Sequence, residues 1–271
     1  IRYKMKKTRI SIPGGNGRMG KTLINQILSS KDLSIGNSSC LPNEDEKGID
    51  LGLLVGKNKV NKFLTDDKQI IFENTDVIID FTVPEASIYH AKKASEIGIP
   101  IVIGTTGIGK KEFSKLKEFS KKIPIVYSAN FSIGISVMEV IIEDTVKKLG
   151  ESWDIEVLET HHNKKVDSPS GTALLIGNAA AKARNQNLNE VMVTSRNGMV
   201  GQRKKQEIGF AVLRGGDVVG EHSIRFYNEN ERLEVNHLAT NRSIFANGAI
   251  RSAIWAFKSN PGFYSLKDVI K

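Results

Sequence analysis

The sequence predicts an α/β chain built on a doubly wound parallel sheet, followed by a second, smaller α+β domain. Three observations carry this. Over the first half, short apolar runs alternate with amphipathic helical stretches, the pattern of strands joined by crossover helices. A glycine-rich turn, Gly14-Gly15-Asn16-Gly17-Arg18-Met19-Gly20, sits between the first such run and the first helix. After about Phe131 the alternation stops, and strand-like segments follow one another through short turns, which suggests a mixed or antiparallel sheet.

In order, residues 8–12 alternate into a strand that Pro13 and the glycines break. Residues 21–31 carry Leu23, Ile24, Ile27 and Leu28 at helical spacing. Residues 76–81 (DVIIDF) form the continuous apolar run of a strand buried on both faces. Pro84-Glu85 opens a helix to about residue 97, with Pro at its first position. A strand (99–103), a helix (110–122) and a strand (123–127) complete the first series. A long helix (133–149) leads to a strand (154–159), a histidine-containing loop and a helix (172–184). Three strands (208–213, 222–227, 232–238) come next, and a helix over 243–257 returns to the first domain.

The 271 residues, 39% hydrophobic and 25% charged, suit a globular protein of one large or two modest domains. The one cysteine, Cys40, excludes an internal disulfide and fits a reducing, cytoplasmic setting. It lies in a small polar stretch with no nearby His, which argues against a nucleophile. No apolar run reaches the ~18 residues of a membrane span. The basic opening (residues 1–7) has no apolar stretch behind it and does not read as a secretory signal. The net charge of +9 comes from scattered lysine pairs such as Lys92-Lys93 and Lys121-Lys122. That pattern reads as a solvated surface and not as the aromatic-interleaved stripe of a nucleic-acid binder. A positive field that draws in anionic ligands is a secondary reading.

Gly14, Gly17 and Gly20 follow a G-x-x-G-x-x-G spacing between a strand and a helix, the context of a Rossmann-like dinucleotide site. Glycines let the backbone approach a pyrophosphate, which the helix N-terminus then holds. Where the second strand ends, the sequence reads Ile35-Gly36-Asn37-Ser38-Ser39-Cys40-Leu41, with no acidic residue before Glu44-Asp45. NADP is therefore permitted, with Ser38 or Ser39 as donors to a 2′-phosphate, but NAD is not excluded. Gly104-Thr105-Thr106-Gly107 and Ser128-Ala129-Asn130-Phe131 should lie at carboxyl ends of strands, where open α/β sheets bind ligands; singly, each is equally well a turn.

The segment Glu159-Thr160-His161-His162-Asn163-Lys164-Lys165-Val166-Asp167-Ser168-Pro169-Ser170-Gly171-Thr172 places two imidazoles, lysines and a helix N-terminus close together. Imidazole exchanges protons near neutral pH, with an unperturbed pKa of ~6.5. Lysine and free helix N–H groups attract anions. Proton transfer to a carboxylate-bearing small molecule is one reading. Structural histidines and a metal site are the alternatives, the last weakened because no ligand set at zinc-like spacing accompanies the pair. His90, His222 and His237 read as ordinary structural histidines.

Seven motifs together resemble the dihydrodipicolinate reductases (4-hydroxy-tetrahydrodipicolinate reductases) of the diaminopimelate route to lysine: GRMG (17–20), DFTVPE (80–85), VIGTTG (102–107), SANFSIG (128–134), ETHHNKKVDSPSGTAL (159–174), IGFAVLRGGDVVGEH (208–222) and FANGAIRSAIWAF (245–257). The resemblance covers nearly the whole chain. It implies a dinucleotide-binding domain (1–131 and 242–271) and a substrate-binding and oligomerisation domain (132–241) that builds a homotetramer. It also implies reduction of 4-hydroxy-tetrahydrodipicolinate to tetrahydrodipicolinate by NADPH or NADH, in the cytoplasm, with no metal, nucleic acid or membrane involved. By motif, His161 is the proton donor and Lys165 the second catalytic residue, while His162, Gly171 and Thr172 hold substrate. Gly14, Gly15, Asn16, Gly17, Arg18, Met19, Gly104, Thr105, Thr106, Ser128, Ala129, Asn130 and Phe131 contact the cofactor. Two departures stand out: Pro13 before the glycine loop, and the missing acidic-basic pair near Cys40-Leu41, which bears on NADH against NADPH. A semialdehyde dehydrogenase would need a catalytic cysteine, and Cys40 is wrongly placed for one. A nucleotide-sensing protein would not need HHNKK before PSGT. The Gly- and Lys-rich stretch 196–206 is a candidate cover for the site.

Overall fold

The structure, a computed structural model, describes residues 7–271; the basic opening residues 1–6 lie outside the described residues. The chain divides into two compact units, one running to Ile133 and resuming at Ser243–Lys271, the other Gly134–Arg242.

The first unit contains β1 (Thr8–Pro13), α1 (Arg18–Ser29), β2 (Leu33–Ser39), α2 (Leu51–Leu54), β3 (Leu64–Thr65), β4 (Val77–Asp80), α3 (Pro84–Ile97), β5 (Ile101–Ile103), α4 (Lys110–Phe119) and β6 (Pro124–Tyr127). The second contains α5 (Ile133–Leu149), β7 (Asp154–His161), α6 (Gly171–Ala183), α7 (Leu188–Val191), β8 (Met192–Val193), β9 (Ile208–Arg214), β10 (Gly220–Tyr227) and β11 (Arg232–Ala239). Back in the first unit, α8 (Ser243–Ala256), β12 (Gly262–Tyr264) and α9 (Leu266–Ile270) end the chain.

The sheet of the first unit is parallel throughout, in the order β12-β6-β5-β4-β1-β2-β3. Its strands are apolar at successive positions because both faces are covered. Val77, Ile79, Val102 and Val126 pack with α1 and α8, whereas Ile78, Ile101, Ile103 and Ile125 pack in the cluster under α3 and α4. Pro84 occupies the first turn of α3, and Gly98 in the left-handed region (φ 81°) ends it by donating its N–H to Ala94 O. The chain runs outward one way from β1 to β3 and the other way from β4 to β12. That reversal puts a topological switch point between the carboxyl ends of β1 and β4, where such sheets bind ligands.

Several details depart from the sequence expectation. Helix α1 starts at Arg18, three residues early, because Gly17 in extended conformation (φ −66°, ψ 163°) already caps it. Helix α4 stops at Phe119, where Ser120 Oγ turns back onto Lys117 O at 2.8 Å. The short α2 forms because buried Asp50 accepts from Gly52 N at 2.8 Å and from Asn61 N at 2.7 Å. Such short pieces carry too little periodicity to read from sequence. Pro13 ends β1, a position that tolerates a missing N–H.

The second unit holds a mixed sheet, order β11-β10-β7-β9-β8; β10 is antiparallel to β7 and β11, and β9 is parallel to β7 and β8. Inward residues Ile155, Val157, Phe210, Ile224 and Phe226 pack with Ile135, Met138 and Ile142 of α5 and Ala173, Ile176 and Ala180 of α6. β7 alternates strictly, and at its end the inward positions change from Ile155 and Val157 to Glu159 and His161. The stretch 196–206 is tied to the start of β7: Arg196 forms paired 2.9 Å bonds with Glu156, and Arg203 bonds Asp154 at 2.6 Å. Glu156 is five residues from His161, about 17 Å along a strand. These anchors fix Arg196 and Arg203 to the start of β7, while Arg196 also lines a cavity with Ser168 and Pro169, just ahead of Ser170.

Candidate active site

The first unit offers a cradle at its switch point. Gly14 has φ +69°, a conformation that favours glycine, and turns the chain from β1 toward α1. A Cβ on Gly20 would lie 2.3 Å from Gly14 O and 2.7 Å from Gly15 Cα, so loop and helix touch backbone to backbone. No side chain caps the N-terminus of the 12-residue α1. A cavity of about 190 Å³ lies here, lined by Gly14, Gly17, Arg18, Met19, Gly20 and Phe81 among others. An uncapped helix N-terminus against a side-chain-free turn fits a dinucleotide pyrophosphate.

The neighbouring strand ends are braced from beneath. Fully buried Asp80 accepts from Thr82 N at 2.8 Å and Thr82 Oγ1 at 2.6 Å, and its other oxygen meets His90 Nδ1 at 2.8 Å. Ser87 Oγ lies 2.6 Å from Thr105 Oγ1. His90 is thus a structural histidine with a partner that sequence could not reveal. Thr106 is exposed and Thr105 buried, each in the loop after β5. In the loop after β6, Ser128 Oγ donates to Asn130 O at 2.6 Å, and Ala129 is exposed. Phe131 is 1% exposed and meets Phe81 edge-on at 5.7 Å, so its side chain belongs to the core. Ser38 departs from its expected role: its hydroxyl is buried and donates to Ile12 O at 2.7 Å, so it has no free proton for a 2′-phosphate.

The second unit collects acid–base and cationic groups at the carboxyl end of β7. The Nδ1 of His161 hydrogen-bonds Glu159 Oε2. Arg214 grips the same carboxylate with two bonds of 2.9 and 3.1 Å, and Ser170 N donates to it at 2.9 Å. Strand register accounts for the cluster, since Arg214 pairs with His161 across β9, and His222 pairs with Glu159 across β10. The rings of His161 and His222 meet edge-on at 5.0 Å, and His222 Nε2 lies 3.2 Å from Ser170 Oγ. Ser170 caps α6, accepting from Ala173 N at 3.1 Å, so Gly171 and Thr172 form its first turn. Lys165 Nζ bonds Asp167 at 2.7 Å, while the His162 backbone is fixed to Val218 O at 2.8 Å. Glu159, Arg214, Ser170 and His222 were not assigned from sequence; His222, read there as an ordinary structural histidine, in fact abuts His161.

Charge follows from these contacts. Burial pushes the Glu159 carboxyl up, but hydrogen bonds from Arg214, Ser170 N–H and His161 outweigh it and hold the group below its usual value. Burial lowers His161; Glu159 opposes that, while Lys165 and Arg214 add to it. His222 is lowered to about 4, by burial first and then by the charge of His161. The unfolded chain protonates His222 near 6.5 and the folded one only near 4, so its contribution is full above the first value and is lost as pH falls toward the second. We expect a loss on the order of 3 kcal/mol across that window, and His222→Gln to remove most of it. Urea unfolding of both proteins at neutral and mildly acidic pH checks this; equal pH slopes would contradict a neutral, buried His222. Among the described residues, no group of three His, Cys, Asp or Glu could hold a metal ion.

Comparison with known proteins supplies the decisive observation. Residues 8–131 match the family model for the dihydrodipicolinate reductase N-terminus, and residues 134–270 match that for the C-terminus. The chain belongs to the dihydrodipicolinate reductase family. The 4-hydroxy-tetrahydrodipicolinate reductase of Acinetobacter baumannii (strain AYE) is 44% identical over 262 residues, covering 97% of this chain and 96% of the relative. That of Bartonella bacilliformis is 42% identical over 264 residues, covering 97% and 98%. A dipicolinate-bound dihydrodipicolinate reductase from Paenisporosarcina sp. TG-14 shares the fold, with a TM-score of 0.75 at 20% identity over 97% of this chain and 99% of that one. Both family halves are present, so the glycine cradle and the His161 cluster belong to one reductase.

Proposed function

We propose that His161 is the proton donor and Lys165 its cationic partner in the reduction of 4-hydroxy-tetrahydrodipicolinate, the reaction of the family. The chain is an enzyme of this kind, a 4-hydroxy-tetrahydrodipicolinate reductase acting in lysine biosynthesis through diaminopimelate. The carrying observation is the His161 imidazole held by a buried, ionised carboxylate beside a lysine and a helix N-terminus. Hydride addition to a conjugated C=C–C=N system drives an electron pair to the far end of that system, which must be protonated. His161 in its cationic form meets that demand. Lys165, His162 and the first turn of α6 at Gly171 and Thr172 bind the two substrate carboxylates and offset the charge that develops.

A reduced nicotinamide dinucleotide, when bound, supplies the hydride. Gly14, Gly15, Asn16, Gly17, Arg18 and Met19 would hold its pyrophosphate, and the loops at Gly104–Thr106 and Ser128–Phe131 would contact the rest of the cofactor. At the end of β2, burial pushes the Cys40 thiol up, and Asp66, Glu44 and Glu46 raise it further against Lys47 alone. Lys47 is itself bonded to Asp66 at 2.6 Å, and Lys21 to Glu46. Two of those carboxylates are thus neutralised by lysines, so the end of β2 does not repel a 2′-phosphate, and the donor is NADPH or NADH. The second unit also carries assembly into a homotetramer, and the setting is the cytoplasm.

The test follows loss of NADH and, separately, NADPH absorbance with substrate generated in situ from pyruvate and aspartate semialdehyde by the preceding synthase. Oxidation that depends on the synthase is the expected result, and the ratio of the two rates gives the cofactor preference. Folded protein that oxidises neither nucleotide would remove the assignment.

A further inference from the structure

Glu159 is 1% exposed; Arg214 donates to it through two bonds and Ser170 through its backbone N–H, and His161 Nδ1 is hydrogen-bonded to it. The next inward positions down β7 are Val157 and Ile155, so an aliphatic side chain would be the cheaper occupant of this face. A carboxylate there has a different use. Ionised, it only accepts hydrogen bonds, and the Arg214 guanidinium, which cannot give up its proton, keeps it ionised. The hydrogen between Glu159 and His161 therefore resides on Nδ1.

We propose that Glu159, locked by Arg214 and Ser170, is a positioning residue that fixes His161 with Nδ1 facing the carboxylate and leaves Nε2 as the atom that delivers the proton. Gly220 supports this placement: a Cβ there would lie 3.0 Å from Nε2, so the missing side chain keeps the space beside that nitrogen clear. On transfer the Nε2–H bond breaks with its electrons staying on the ring. The proton joins the substrate atom that received the electron pair displaced by the hydride, and the imidazole is left neutral, to be reprotonated from solvent. The inference rests on the reading of His161 as the proton donor.

The groups that face His161 are Glu159 on its own strand, Arg214 on β9, His222 on β10, and Lys165 with Asp167 in the following loop. Arg214, Lys165 and burial all disfavour the imidazolium, and Glu159 is the group that opposes them directly. Removing its charge should leave His161 neutral, and unable to donate from Nε2, down to a lower pH.

Glu159→Gln keeps the size of the side chain and an oxygen for Arg214. The alkaline limb of its kcat–pH profile should move to lower pH. At neutral pH kcat should fall at least about tenfold, with substrate KM changed less than about threefold. A merely structural lesion would scale kcat equally at every pH. An unmoved limb, with His161→Ala inactive, overturns the positioning role and leaves the acid assignment standing. An active His161→Ala removes the acid assignment itself. If Glu159→Gln does not fold, magic-angle-spinning NMR of the native chain with isotope-labelled histidine decides. Protonation of His161 on Nδ1 in its neutral form supports the proposal, and protonation on Nε2 overturns it.

Discussion

His161→Ala should lower kcat by about 10²–10⁴-fold, the usual worth of a general acid, while nucleotide affinity stays within about threefold. The separation of effects follows from the architecture. His161 ends β7 in the second unit, whereas the glycine cradle and the loops after β5 and β6 belong to the first. The groups against His161 are Glu159, His222 and Gly220, all of the second unit. Steady-state turnover with NADH and a fluorescence titration of NADH binding check the two halves independently. Turnover within twofold of the parent would mean that another group supplies the proton. A collapse of nucleotide affinity would mean that the imidazole supports the fold of the cradle.

Gly20→Ala should act in the opposite sense. Its Cβ would meet Gly14 O at 2.3 Å and Gly15 O at 2.7 Å, and both are backbone atoms that cannot swing aside as a side-chain end would. The turn must open to admit the methyl group, at a cost of roughly 1–3 kcal/mol by the usual measure of overpacking. Because the displaced atoms are those that form the cradle, nucleotide affinity should fall on the order of a hundredfold, in line with the upper part of that range. The proton-transfer cluster is untouched, so kcat at saturating NADH should be largely retained. Isothermal titration and a full saturation curve measure both quantities. Unchanged affinity would show that the dinucleotide does not use this turn.

Much of this molecule was legible in its sequence, for identifiable reasons. The parallel sheet showed in runs such as residues 76–81, because strands covered on both faces are apolar at most positions. The cradle showed because its glycines are consecutive in the chain. His161, Lys165 and the α6 start at Gly171 lie within eleven residues of one another, and one loop carries them. Arg214 and His222 did not show as functional residues, although both stand in the motif RGGDVVGEH. They reach Glu159 and Ser170 through contacts spanning 55 and 52 residues, fixed by strand register in a mixed sheet. Register follows from pairing, and no local spacing encodes it. Ser38 misled for a related reason: its hydroxyl looks available in sequence and is used up by Ile12 O across the β1–β2 pair.

The discontinuity of the first unit has a consequence for how the chain is made. Ala246, Ala249, Ile250, Ala253 and Ala256 of α8 fill the same core cluster as Ile10, Ile12, Leu23 and Ile24, near the other end of the sequence. During synthesis the early strands and α1 leave the ribosome with that side of their sheet uncovered. The whole of Gly134–Arg242 is translated before the covering helix exists. The inserted unit can therefore complete its own core first, since domains fold largely as units as they emerge. The nucleotide cradle, translated before that unit, is finished after it, and until α8 emerges its exposed isoleucines and leucines are the part of the nascent protein that most needs shielding.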